Sequence, residues 1–427
     1  MSHPPLGPAL GEGYAGLLRL AGEIGREPAL RGLLAMILEK SRPWMRAEAC
    51  SIFLPDAATG DLVIHSAHGN SQPQLGSLRV PSGKGIVGAA MKERKMIRVD
   101  DVGRDPRFFA KADEQTGWTT RALLAAPLLD GDECLGVIEF LNPQGRPAFS
   151  RDDEQLVEYF AGLVSAALVR IRAHDAALER AQVQRDLDLA REMQQGLLPK
   201  QFPGREQAPG VEIFARLDPA KEVSGDLYDF FPVEPGKLCF VVGDVSGKGV
   251  AAGLFMAVTR TLIRATAAPG REPLEILKKV NAQLCAENPA NLFVTMILGM
   301  VETSTGRMVY GQGGHNPPIL IPVQGDPIYE PSGGMPLGVF EDAKFGQRQL
   351  ELKTGETLLV YTDGVTEAMN PKRELFGEER LQEAVRGQAR LAPESLTQRV
   401  VGEVARFASG AEPSDDITLL AIKHQTR

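Results

Sequence analysis

The run VSGDLYDFFPVEPGKLCFVVGDVSGKGV, residues 223–250, decides the fold of the larger half of this 427-residue chain. KLCFVVGDV (237–245) reads as a buried strand, and a Gly-rich turn leads from it into a helical stretch over 249–267. Asp244 closes the strand. Asp226 lies eighteen residues earlier, in VSGDLYDF, again beside a glycine.

The pattern recurs outward from this run. VEIFARL, FVTMILGMVE, RMVYGQGG, PPILIPV, ETLLVYTDGV and ITLLAIK are further apolar strands. Helical segments are predicted at 249–267, 272–287 and 378–407. Asp363 ends LLVYTDGVTE (358–367), and Asp415 and Asp416 open DDITLLAIK (415–423). An Asp at a strand terminus is ordinarily a turn former. Four such sites, each flanking a buried strand, predict convergence at one edge of a β-sandwich. Carboxylates that converge repel one another unless a cation lies between them. An all-oxygen set selects Mg²⁺ or Mn²⁺ over zinc or copper. Four unrelated turn residues stay open as the alternative.

Residues 1–13 read as a Pro/Gly-rich tip. From Tyr14 to about Met45, Leu17, Leu18, Ile24, Leu30, Leu33, Leu34 and Ile37 predict an amphipathic helix. SIFLPDAATGDLVIHSAHG (51–69) and RALLAAPLLDGDECLGVIEFLNP (121–143) are hairpins. Between them a short helix is expected around 85–93 and a strand at 95–99. DDEQLVEYFAGLVSAALVRI (152–171) is a helix. Helix, antiparallel strands, helix is an α+β sandwich order, assigned to 14–171.

Residues 172–200 form a helical linker, with no Gly or Pro before Gly196. Val183, Leu187, Ala190, Gln194 and Leu197 make a heptad-like stripe. It fits a coiled-coil stalk of a homodimer, and equally one amphipathic helix packed on a neighbour. Residues 205–425 form the second domain.

Bulk properties narrow the function classes. The net charge is -8, and no Lys/Arg tract suggests a nucleic-acid partner. Cys50, Cys134, Cys239 and Cys285 are scattered, as are the six histidines, so neither a disulfide framework nor a zinc site is expected. No run approaches the roughly 18 apolar residues of a membrane span, and the N-terminus lacks a secretory pattern. A cytoplasmic protein with no membrane partner is expected. SGKG at 82–85 and 246–249 lacks the flanking residues of a P-loop, and DVSGK is not a GxSxG elbow.

With these runs in hand, residues 183–425 resemble the SpoIIE-like branch of the PP2C (PPM) phosphatases. LAREMQQGLLP (189–199), VSGDLYDF, GDVSGKGVAA (243–252), FVTM (293–296), GGHNPP (313–318), MPLG (335–338), YTDGVTEAMN (361–370) and DDITLLAIK match its motifs in order. The resemblance implies a metal-dependent serine/threonine phosphatase using two Mn²⁺ or Mg²⁺ ions. It implies Asp226 and Asp244 as shared ligands, with the Val245 carbonyl beside them. Asp363 and Asp415 are implied as further ligands, with Asp416 the less favoured of the two neighbours. His315 and Asp229 are candidate proton donors, and Lys221 a candidate phosphate contact or plain surface residue. The implied substrate is a phospho-Ser/Thr protein, such as a STAS-type anti-sigma-factor antagonist.

Residues 14–171 resemble a GAF domain, through GKGIVGAAMKERKMIRVDDV (83–102), DPRFF (105–109), the 121–143 hairpin and FSRDDEQLVEYFAGLVSAAL (149–168). A small-molecule ligand at this sensory domain is implied. Asn142, Phe149, Asp153 and Glu154 match a signature of cyclic-nucleotide-binding members. Pro143 stands where that signature has Lys, which argues against a nucleotide. Two other readings are weighed: an inactive phosphatase-fold scaffold, and a small-ligand or cyclic-nucleotide sensor acting by binding alone. The fold expected overall is α+β: a GAF α/β sandwich, a helical linker and a PP2C-type β-sandwich flanked by helices.

Overall fold

A computed structural model describes residues 30–69, 79–116, 119–204 and 206–425. The tip at 1–13 and the first half of the expected 14–45 helix lie outside the described residues. The chain divides into two compact units between Ala181 and Gln182.

The first unit begins with α1 (Leu30–Met45). Six antiparallel strands follow: β1 (Ala47–Pro55), β2 (Leu62–Gly69), β3 (Arg79–Val80), β4 (Ile97–Val99), β5 (Leu123–Asp130) and β6 (Glu133–Pro143). Their order across the sheet is β3-β2-β1-β6-β5-β4. Strand alternation sends successive side chains to two different cores. On one face, Leu33, Leu34 and Ile37 of α1 pack with Ile138, Phe140 and Phe160. On the other, Phe53, Ile64 and Val137 pack with Ile86 and Ala90 of α2 (Gly85–Glu93). A short α3 (Lys111–Thr116) precedes β5.

The segments read separately as 152–171 and 170–198 form one helix, α4 (Arg151–Leu197). Its start is fixed by a reciprocal cap. Ser150 N donates to Asp153 Oδ2 at 2.6 Å, and Asp153 N donates to Ser150 Oγ. Arg146 pairs with Asp153 at 2.7 Å, so a nearby Arg gives this carboxylate a cationic partner.

The second unit is an antiparallel β-sandwich. One sheet runs β14-β11-β10-β9-β8 and the other β13-β12-β15-β16-β7. The strands that matter for the site are β7 (Val211–Asp218), β8 (Leu227–Glu234), β9 (Lys237–Val245), β10 (Val294–Glu302), β11 (Arg307–Gly313), β15 (Thr357–Tyr361) and β16 (Ile417–His424). The others are β12 (Ile319–Ile321), β13 (Ile328–Tyr329) and β14 (Gly346–Glu351). Phe240, Val242, Ile297 and Tyr310 meet Ile213, Val360 and Leu420 between the sheets. Helices α5 (Val250–Thr266) and α6 (Pro273–Ala286) cover the first sheet through Met256, Ile263, Ile276 and Val280. The second sheet is covered by α7 (Gly377–Val385) and α8 (Pro393–Ala408). A single helix was expected over 378–407. Gly387, at φ 67°, turns the chain, and Pro393 starts a new helix instead of continuing the old one. Strand β14 is mostly exposed and polar, so it carries no apolar signal in the sequence.

Candidate metal centre

The β8–β9 hairpin sets the first element of the site. Leu227 pairs with Gly243, and this antiparallel register places Asp226 opposite Asp244. Thr295 of β10 flanks Asp244 on the other side. Gly225 is needed for the approach: a Cβ there would stand 2.8 Å from the Val245 carbonyl oxygen. The second sheet supplies Asp363, just after β15, and the Asp415–Asp416 pair, just before β16. Gly364 lets these turns meet, since a Cβ there would lie 2.0 Å from the Asp416 carbonyl oxygen.

Asp226 is 2 % exposed, and its Oδ2 accepts from Thr362 Oγ1 at 2.8 Å and Thr418 Oγ1 at 2.5 Å. Burial, and then the neighbouring Asp244, push its pKa well above the usual carboxylate range. Asp244 is pushed up to about 7, first by burial and then by Asp363, while a hydrogen bond shared with Asp226 pulls the other way. Asp363 is also raised, by burial, Glu367 and Asp415. Asp226, Asp244, Asp363 and Asp415 thus act on one another electrostatically, although they lie on four chain segments. Among the described residues no three His, Cys, Asp or Glu side chains are drawn closely enough to hold an ion between them. The meeting is tightest at Asp226 and Asp244, and neither forms an ion pair with a described Lys, Arg or His. Buried oxygen-only donors without a counter-charge fit a hard divalent cation.

The adjacent Asp415 and Asp416 do different things. Asp415 Oδ2 pairs with Lys248 Nζ at 2.9 Å at a partly exposed position. Asp416 is buried. Its Oδ1 accepts from Ala220 N at 2.7 Å, and its Oδ2 accepts from Ser224 Oγ at 2.7 Å and Gly225 N at 2.9 Å. Its carboxylate is engaged in holding the 220–225 segment. The Val245 residue is buried at the end of β9.

The candidate proton donors are placed otherwise. Asp229 is fully buried, with both oxygens held by Arg264 at 2.6 and 2.7 Å, and Arg260 Nε stands 2.9 Å away. His315 bonds Thr295 Oγ1 at 2.8 Å through Nδ1. Burial pushes it down to about 4, so the ring is neutral near pH 7, and its Nε2 is enclosed without a partner. Lys221 is exposed. Lys248 was excluded as a P-loop lysine and had no other role in the sequence reading. It donates to Ser414 O at 2.6 Å and draws Asp363 downward. The sequence signal for Thr362 and Thr418 is their place in the TDG and DDIT motifs, Thr362 next to Asp363 and Thr418 two residues after Asp416.

Residues 234–425 match the profile of Stage II sporulation protein E (SpoIIE), and residues 29–168 match that of the GAF domain. Protein IcfG of Synechocystis sp. is 30% identical over 268 residues, 56% of this chain and 41% of its own. The phosphoserine phosphatase RsbU of Bacillus subtilis is 27% identical over 187 residues, 44% of this chain and 55% of its own. The chain spans about half the length of the curated relatives it matches. The SiaA-PP2C domain of Pseudomonas aeruginosa superposes with a TM-score of 0.51 at 20% identity, covering 58% of this chain and 99% of that domain, a likeness of fold.

Proposed function

Since this chain joins a GAF domain to a PP2C-type domain of the SpoIIE family, we propose that it is a metal-dependent protein serine/threonine phosphatase under GAF control. The observation that carries this reading is the Asp226–Asp244 pair. It is buried, its two carboxyls repel one another unless a proton or cation lies between them, and no cationic side chain balances it. Keeping two such carboxylates together costs stability unless a ligand compensates.

Asp226, Asp244, Asp363, Asp415 and the Val245 carbonyl would hold two ions, Mn²⁺ or Mg²⁺. Divalent cations at such a site acidify water and neutralise phosphoryl oxygens. The chain's own groups prepare that chemistry. Thr362 and Thr418 fix the Asp226 carboxylate from the opposite sheet. Asp416 fixes the backbone before it. Lys248 holds Asp415 and brings positive charge beside Asp363.

The substrate proposed is a phospho-Ser/Thr protein, of which a STAS-type regulator is one class. The name of the relative RsbU, a phosphoserine phosphatase, supports it. We further propose the division 14–171, 172–200 and 205–425, with a small-molecule ligand at the GAF domain. Exposed Leu178, Val183, Leu189 and Met193 along α4 support a homodimer. No helix among the described residues is long and apolar enough to cross a membrane. An inactive scaffold is disfavoured, because all four ligand aspartates are present.

The test is hydrolysis of p-nitrophenyl phosphate. Activity is expected with Mn²⁺ and is expected to vanish with EDTA. Asp244→Asn or Asp363→Asn should lower the rate on the order of 10²-fold or more. Metal-independent turnover, or near-normal rates in both variants, would overturn the assignment.

A further inference from the structure

The heptad-like stripe of α4 contains one residue that does not behave as a stalk residue. Val183, on the same stripe, is 59 % exposed, whereas Gln194 is 9 % exposed. The Gln194 amide grips the main chain of Ser224 from both sides. Its Oε1 accepts from Ser224 N at 3.0 Å, and its Nε2 donates to Ser224 O at 2.6 Å. One planar amide therefore satisfies both backbone groups of a single buried residue.

Ser224 lies two residues before Asp226, and its own side chain extends the network. Ser224 Oγ donates to Asp416 Oδ2 at 2.7 Å and accepts from Asp226 N at 3.0 Å. A continuous run of hydrogen bonds thus joins the last turns of α4 to the backbone of Asp226. The fit around the amide is close. A Cβ on Gly253 of α5 would lie 2.3 Å from Val223 Cγ1 and 3.1 Å from Gln194 Nε2. The glycine leaves the space that Val223 and Gln194 fill.

We propose that Gln194 is a positioning residue, through which the C-terminal turns of α4 set the Asp226 backbone and hence the affinity of the site for a divalent cation. This rests on the reading of Asp226 as a cation ligand. Displacing α4 along its axis would shift an amide that holds Ser224 at two points, so a movement of the helix becomes a movement of Asp226.

The experiment is isothermal titration of the full chain with Mn²⁺ alone, for wild type, Gln194→Ala, Gly253→Ala, Gln195→Ala and Asp226→Asn. Groups that hold metal ligands in place are worth about 10–100-fold in metal affinity. Gln194→Ala is expected to weaken Mn²⁺ binding about tenfold, at the lower end because Gln194 acts through the backbone. Gly253→Ala should act in the same direction, by wedging Val223 and the amide apart. The exposed neighbour Gln195→Ala should bind as wild type. Melting in EDTA should fall by several degrees in Gln194→Ala, since Ser224 N and O lose their partners, while KM for p-nitrophenyl phosphate at saturating Mn²⁺ should change little. Amide exchange at 222–226 should quicken while β9 and β10 stay protected. Wild-type affinity in Gln194→Ala, with Asp226→Asn impaired, overturns the role of Gln194 alone. Wild-type affinity in Asp226→Asn overturns the metal assignment itself. Should Gln194→Ala fail to fold, Gly253→Ala decides, and wild-type affinity there overturns the proposal.

Discussion

Replacing Asp415 or Asp416 by Asn, one residue apart, should give two unrelated results. Asp416 accepts three hydrogen bonds in a buried position, from Ala220 N, Ser224 Oγ and Gly225 N. An Asn amide has one acceptor oxygen. In either orientation it aims an N–H at a backbone N–H, at Gly225 or at Ala220. Hydrogen bonds to a charged group contribute roughly 1.5–3 kcal/mol each, and an unsatisfied buried donor costs about 1–3 kcal/mol. The best orientation keeps two bonds in weaker, uncharged form and loses one, so Asp416→Asn should cost about 3 kcal/mol. For a unit of this size each kcal/mol moves Tm by roughly 2–4 °C, which gives a drop of about 6–12 °C. Asp415 is partly exposed and pairs with the partly exposed Lys248. Such pairs contribute under about 1 kcal/mol, so Asp415→Asn should move Tm by at most about 4 °C while weakening Mn²⁺ binding. Calorimetry in EDTA, following the transition of the second unit, measures both. Equal shifts in the two variants, or a shift under about 2 °C for Asp416→Asn, would refute the distinction between ligand and scaffold.

Two further outcomes follow from buried ionisable groups outside the set of four aspartates. His315 is held neutral, with its pKa pushed down to about 4 by burial. The unfolded chain therefore takes up this proton first, and the contribution of His315 to stability should fall as pH drops from about 6.5 to 4, by about 3 kcal/mol. Asp226 and Asp244, raised in the folded state, act in the opposite direction, so the measure is the difference between wild type and His315→Asn in urea melts: it should shift in favour of His315→Asn as pH falls, and a pH-independent difference would contradict the burial argument. Asp229→Ala leaves Arg260 and Arg264 without their shared carboxylate. The Arg260 side chain is 14 % exposed and that of Arg264 41 %, so the loss should fall below the roughly 3–5 kcal/mol of a fully buried broken pair, at about 2 kcal/mol, and an unchanged denaturant midpoint would contradict the clamp.

Much of this architecture is readable from residue order, and the failures have physical causes. KLCFVVGDV and DDITLLAIK are apolar runs ending in acidic residues, so both strands and both acidic turns are visible at once. The separate contacts of Asp415 and Asp416 are not, because adjacent residues at a strand start point to opposite sides, and only tertiary packing says which of them meets Lys248 and which holds the 220–225 segment. The Asp229 clamp is hidden for a similar reason. Its two arginines are four apart on α5, a spacing that ordinarily marks a solvated helix face. Gln194 looks like a weak stalk position because its partner is a main-chain segment, which leaves no pattern in side-chain spacing. The break between α7 and α8 was legible in principle, since Gly387 and Pro393 are strong interrupters.

Strand β16 lies between β15 and β7, and so joins a neighbour sixty residues back to one about two hundred back. Thr418, which holds the Asp226 carboxylate, sits on it, and the Asp415–Asp416 turn leads into it. During synthesis, everything up to residue 414 can leave the ribosome without the acidic cluster being assembled. A nascent chain would lack the Thr418 contacts to Asp226 and the Asp415–Asp416 turn until this segment inserts. Such long-range closure is slow, so β16 docking sets the pace at which the two acidic turns come together.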